Sequence, residues 1–100
     1  MEPQQAVFIN VFAVEPDRQG ELVALLTEGG EQVIRHRPGF TSLSIYASRD
    51  GRSVVGVAGW ARAEDAAATQ ADPDAAAYAA RAAAVGTPAP GLYTLAAEIR

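Results

Sequence analysis

Four side chains in this sequence have the type and setting for chemistry on a bound molecule: Asn10, Trp60, Tyr78 and Arg81. Trp60 is the only tryptophan, and it ends a strand-like run where the composition turns helical, so its ring is either a core plug or a pocket wall. Asn10 is the one polar residue in an apolar stretch. A buried amide must be hydrogen-bonded, so it either ties down a backbone group or faces a ligand. Tyr78 and Arg81 lie three apart, on one helix face, and are the large side chains of an alanine-rich segment. His36, between Arg35 and Arg37 at a helix end, is suited to proton exchange near neutrality, but its place reads as that of a surface residue favoured at a helix C-terminus. A single histidine and no cysteine argue against zinc motifs, thiolate chemistry and disulfides. The glycines do not stand between a strand and a helix as a dinucleotide fingerprint requires.

The bulk properties narrow the class. One hundred residues, 49% hydrophobic and 20% charged, describe a single globular domain over residues 1–100. A net charge of −4 argues against nucleic acid, because phosphate binding needs clustered lysine and arginine. Met1 to Gln5 lack the basic and apolar regions of a signal peptide, and no apolar run approaches the length of a membrane span. The expectation is a soluble cytoplasmic protein with no membrane partner.

The elements that must position these residues follow from periodicity. The stretch from Ala6 to Val14 is apolar on both alternating sets, as in a strand covered on both faces. From Pro16, residues Leu22, Leu25, Leu26, Val33 and Ile34 form one helical stripe running to about Arg37. Gly29 and Gly30 fall on that stripe, where either the helix backbone meets the sheet or the missing side chains leave room for a ligand. Pro38-Gly39 ends the helix. Strands from Phe40 to Ser48 and from Arg52 to Ala61 flank an Asp50-Gly51 hairpin turn. Val54, Gly56, Ala58 and Trp60 share one face, which is shallow with one wall. The alanine-rich stretch from Arg62 to Ala84 is helical and broken at Asp72-Pro73-Asp74, where Asp72 suits an N-cap. Gly86 to Gly91 reads as a loop, and Leu92 to Ile99 as the last strand.

This order, β-α-β-β-α-β, is that of the α+β ferredoxin-like arrangement: a four-stranded antiparallel sheet with two helical segments on one face. Strands apolar on both sides leave the other face needing cover. A second copy, packed sheet to sheet, is the simplest cover, which gives a homodimer with a pocket inside each subunit near Trp60 and Tyr78.

The chain resembles the antibiotic biosynthesis monooxygenase family of dimeric α+β barrels. The resemblance rests on RQGELVALL at Arg18 to Leu26, PGF at Pro38 to Phe40, Ser48 and Asp50-Gly51 in the hairpin, Val54-Val55, Trp60, and Ala71-Asp72-Pro73. It implies a cofactor-independent oxygenase that oxidises a phenolic, anthrone-like polyketide to a quinone with molecular oxygen. In that reading Phe8, Phe12 and Trp60 are apolar walls, with Leu26, Gly56 and Ala58 around the substrate. Asn10, Tyr46, Tyr78 and Arg81 hold or polarise its oxygens. Gly56 stands where polyketide oxidases of this family carry an asparagine four residues before the tryptophan. Tyr46 replaces a frequent histidine, and Ala66 an expected tyrosine. The alternatives are a polyketide cyclase and a non-catalytic accessory subunit of a polyketide-tailoring enzyme. A haem-degrading branch shares Asn10 and Trp60 but has a histidine where this chain has Tyr78.

Overall fold

The described residues form four antiparallel strands, β1 (Ala6–Ala13), β2 (Phe40–Ala47), β3 (Ser53–Trp60) and β4 (Thr87–Tyr93), in the order β2-β3-β1-β4. The computed structural model describes residues 5–100, so most of the stretch read for a signal peptide lies outside it. The helices α1 (Gln19–Gln32), α2 (Ala63–Ala71) and α3 (Pro73–Val85) complete the ferredoxin-like βαββαβ order, the second helical segment being two helices. None of these helices is long and apolar enough to cross a membrane.

The hairpin between β2 and β3 turns at Asp50-Gly51, with Gly51 at φ +80°, a region open to glycine. Its loop is closed by side chains: the Ser48 hydroxyl donates to Asp50, which also accepts from the Arg52 N–H. Gln19, at the start of α1, donates to the Ser48 and Ser53 carbonyls and so fastens the helix to the hairpin. The helix itself stops at Gln32, short of the expected Arg37, and Ile34–His36 form a tightened 3-10 turn. Asp72 breaks the alanine-rich segment as expected, its carboxylate accepting from the Ala75 N–H as an N-cap for α3.

The last strand differs from the sequence expectation. β4 begins at Thr87 and ends at Tyr93, so the proline-rich stretch read as a loop is the strand, and Thr94 to Arg100 lie beyond the sheet. Pro88 and Pro90 are tolerated because β4 is an edge strand that, among the described residues, pairs only with β1.

The two faces of the sheet have different fates. Even-numbered residues of β1 and β3 face the helices, and Phe12, Val14, Leu22, Val54 and Ala82 form one buried cluster there, with Ala6, Ala58, Trp60 and Ala66 forming a second. The opposite face carries Val7, Ile9, Val11, Val55 and Val57 with no helix over them among the described residues, and Val11, Tyr46 and Tyr93 are 43, 60 and 52% exposed.

Candidate active site

Between the sheet and the helices lies a cavity of about 430 Å³, partly open to solvent and within the range of small-molecule sites. Its floor is built by strand alternation: Phe8, Asn10 and Phe12 of β1 stand beside Gly56, Ala58 and Trp60 of β3. Leu43 and Ile45 of β2 extend the floor on one side, and Pro88 and Pro90 of β4 on the other. The roof is Leu25, Leu26, Gly29 and Gly30 of α1 with an alanine face of α3 that includes Ala75, Ala79 and Ala82.

Close packing explains the two glycines on the α1 stripe. A Cβ on Gly29 would come within 3.0 Å of the Tyr78 ring, and one on Gly30 would run into Leu43. Side chains, not sheet backbone, fill the space they leave, and both glycines still border the cavity. The junction of α2 and α3 is held by Arg37, whose guanidinium lies 3.3 Å from Asp72 and donates to the Thr69 hydroxyl and the Ala68 carbonyl.

Trp60 is 2% exposed, with its ring edge-on to Phe40 at 5.9 Å and 81°. Its indole Nε1 is buried and has no hydrogen-bond partner among the described residues. An orphaned buried donor costs about 1–3 kcal/mol, a cost that a ligand acceptor reaching it would remove, and Trp60 is among the residues that line the cavity.

Asn10 is oriented by β4. Its Oδ1 accepts from the Ala89 N–H at 3.1 Å. Proline has no N–H, so Ala89 supplies the only backbone donor of the Pro88-Ala89-Pro90 segment. That bond assigns the amide: the oxygen is engaged and Nδ2 remains as a donor at the cavity floor. Of the two sequence readings of Asn10, the tie to a backbone group is seen, and the residue also borders the cavity.

Tyr78 lines the cavity with its ring, but its hydroxyl donates to Glu28 Oε2 at 2.7 Å. That hydrogen bond, then burial, raises the phenol above its ordinary range, so it stays protonated at neutral pH. The oxygen, committed to an exposed carboxylate on α1, is not presented as an axial ligand in the manner the haem-degrading branch would need.

Arg81 stacks over the Tyr78 ring, 5.0 Å from its centre, and lies 3.7 Å from Glu28, outside the cavity wall and 57% exposed. Tyr46 is also outside. Strand alternation sends Leu43 and Ile45 inward and Tyr46 to the open sheet face, so it cannot reach a molecule under the helices. Neither residue is therefore placed to hold an oxygen in this cavity, contrary to the sequence expectation. Phe8, Phe12, Leu26, Gly56 and Ala58 do border it. His36 is exposed at the end of the 3-10 turn.

Sequence reasoning missed Gln70, Ile34 and Ile45 on the wall, and Glu28 as the partner of Tyr78. Gln70 carried a signal as an amide in a run of alanines. Glu28, fifty residues from Tyr78, carried none. Among the described residues, Tyr78 is the only titratable side chain on the cavity wall, and no group of three or more His, Cys, Asp or Glu residues could hold a metal ion.

Comparison with known proteins gives the cavity a context. Over 71 residues the chain is 44% identical to tetracenomycin-F1 monooxygenase of Streptomyces glaucescens, a stretch that is 71% of this chain and 63% of that protein. The monooxygenase from the gene ActVA-Orf6 of Streptomyces coelicolor, solved in complex with nanaomycin D, is 31% identical with a TM-score of 0.87, covering 98% of this chain and 93% of that one. SnoaB, a cofactor-independent oxygenase from Streptomyces nogalater, solved as a mutant, shares the fold at 23% identity and a TM-score of 0.86, covering 96 and 97% of the two chains. No family-level sequence model matches the chain.

Proposed function

Because this chain belongs to the antibiotic biosynthesis monooxygenase family, we propose that it is a cofactor-independent oxygenase that converts a flat, anthrone-like phenolic polyketide to a quinone. It acts as a single domain in a cytoplasmic homodimer. The observation that carries this reading is an apolar cavity bordered by Trp60 and Asn10, whose Nε1 and Nδ2 donors have no partner among the described residues and would bind a substrate oxygen that reaches them.

The chemistry asks little of the protein beyond that pairing. An ionised phenol or enol can pass one electron to dioxygen, giving a substrate radical and superoxide. Their recombination forms a carbon–oxygen bond, and the resulting peroxide takes up a proton. Loss of water, with departure of the second hydrogen of the oxidised carbon, leaves the quinone. One dioxygen is consumed: one oxygen atom enters the product and the other leaves as water.

Neutral donors aimed at a substrate oxygen bind its anion more strongly than its neutral form, and more so where water is excluded. Trp60 and Asn10 thereby lower the substrate's own pKa. The proton passes to water, since Tyr78, already protonated and bonded to Glu28, cannot accept one. Tyr78→Phe is accordingly expected to leave the pH midpoint of kcat/KM in place and to reduce the rate by less than about tenfold, since a hydrogen bond of this kind is worth about 1 kcal/mol. A shifted or abolished midpoint in that variant would make Tyr78 the base.

The purified protein should take up oxygen with an anthrone in air, with one dioxygen consumed per quinone formed, and chelator should not slow it. Uptake at the uncatalysed rate while the anthrone still binds contradicts the oxygenase. Product formed under argon would instead support a cyclase. The apolar open face of the sheet supports the dimer. Light scattering at micromolar concentration should give twice the monomer mass, and a stable monomer would refute it.

A further inference from the structure

Gly56 sits at the centre of the cavity floor, directly across from Asn10 in the β1–β3 register. A Cβ built on it meets nothing within 4 Å, in contrast to Gly29 and Gly30, whose missing side chains are replaced by Tyr78 and Leu43. Its φ lies outside the positive region, so its backbone conformation is open to any residue. Neither turn geometry nor close packing accounts for a glycine there. What the glycine leaves is room in the cavity, next to the donor amide of Asn10 and flanked on the same strand face by Val54 and Ala58.

We infer that Gly56 is a specificity-determining residue: its missing side chain opens a subsite beside Asn10 that accepts an additional fused ring of a polycyclic phenol. The inference rests on the cavity reading above and narrows the substrate class to wide, multi-ring phenols. Phe8, Phe12 and Ile45 of the floor are larger, and the neighbouring Ala58 adds one methyl group, so the floor is lowest at Gly56. A leucine side chain has as many carbons as one benzo fusion adds, so Gly56→Leu should remove the space of one ring. The open surroundings and ordinary φ mean that this variant should fold, and Gly56→Ala, which adds one methyl group, provides a milder step.

The test is binding under argon, where no oxidation occurs, followed by Trp60 emission and by calorimetry. The ligands are 2-naphthol, anthrone and a hydroxynaphthacenone, which have two, three and four fused rings. The wild type should bind the four-ring ligand most tightly. Gly56→Leu should weaken that ligand by about tenfold or more while leaving 2-naphthol within about twofold, a range typical of shape discrimination in an apolar pocket. Gly56→Ala should fall between, with thermal midpoints of both variants at or above that of the wild type. Equal affinity of wild type and Gly56→Leu for the four-ring ligand would overturn the inference, as would equal weakening of all three ligands. If the wild type binds none of them, the cavity is not a ring site and the inference falls with that reading. Ring-selective binding without oxygen uptake in air would uphold Gly56 as the size determinant and refute the oxygenase.

Discussion

Trp60→Phe is expected to lower kcat by about 100- to 1,000-fold, the range found when one donor to a developing oxyanion is removed. The substitution keeps an aromatic ring in the edge-on arrangement with Phe40 and removes the indole N–H, the buried donor that has no partner among the described residues. A donor that satisfies nothing in the protein can be lost with little harm to the fold, and its removal relieves a desolvation cost of about 1–3 kcal/mol. That relief offsets part of the lost apolar burial, so the denaturation midpoint should move little while turnover collapses. Steady-state oxygen uptake and chemical denaturation on the same preparations measure the two effects. Lost stability with unchanged kcat would return Trp60 to ordinary core packing.

Asn10→Asp should be as damaging, for a different reason. The carboxylate still accepts from the Ala89 N–H, so the link between β1 and β4 is kept. The other oxygen replaces the Nδ2 donor and brings negative charge to the cavity floor, where the proposed reaction needs the substrate as an anion. Like charges in a low-dielectric site disfavour each other's ionisation. We expect kcat/KM at neutral pH to fall by about 100-fold or more, with the apparent substrate ionisation moved upward. Asn10→Ala loses both the donor and the Ala89 contact, and should cost about 1 kcal/mol of stability in addition. Full activity in Asn10→Asp would mean that Nδ2 touches no substrate oxygen.

Much of this site follows from a period of two. The alternation of Val54, Gly56, Ala58 and Trp60 against Val55, Val57 and Gly59 brings Trp60 and Gly56 to one face, and the same rule places Asn10 between Phe8 and Phe12. Antiparallel pairing of the two strands then sets Asn10 opposite Gly56. That rule also excludes Tyr46, which shares its face with Ser44 and not with Ile45, so assigning it to the substrate ran against its own strand pattern. Helix spacing put Tyr78 and Arg81 on one side of α3 but carried no information on what lay opposite. Glu28, from a distant part of the chain, turns both away from a role as donors into the cavity. The last strand was illegible because proline and glycine mark loops by default, whereas an edge strand with one neighbour needs few backbone donors.

The central claim is that the protein supplies neutral donors and an apolar enclosure while the substrate supplies the ionisation. It is tested most directly by the pH dependence of kcat/KM for oxygen uptake with two anthrones of the same shape whose solution pKa values differ by about two units. General-base catalysis by a side chain gives a limb at the pKa of that side chain in the free enzyme. Ionisation of the substrate itself gives a limb that follows the substrate. The midpoint should move with the anthrone, by about the difference in solution pKa, and lie below the solution value in both cases because Trp60 and Asn10 favour the anion. A midpoint that stays at one pH for both substrates would assign the proton to a group on the protein and contradict the claim.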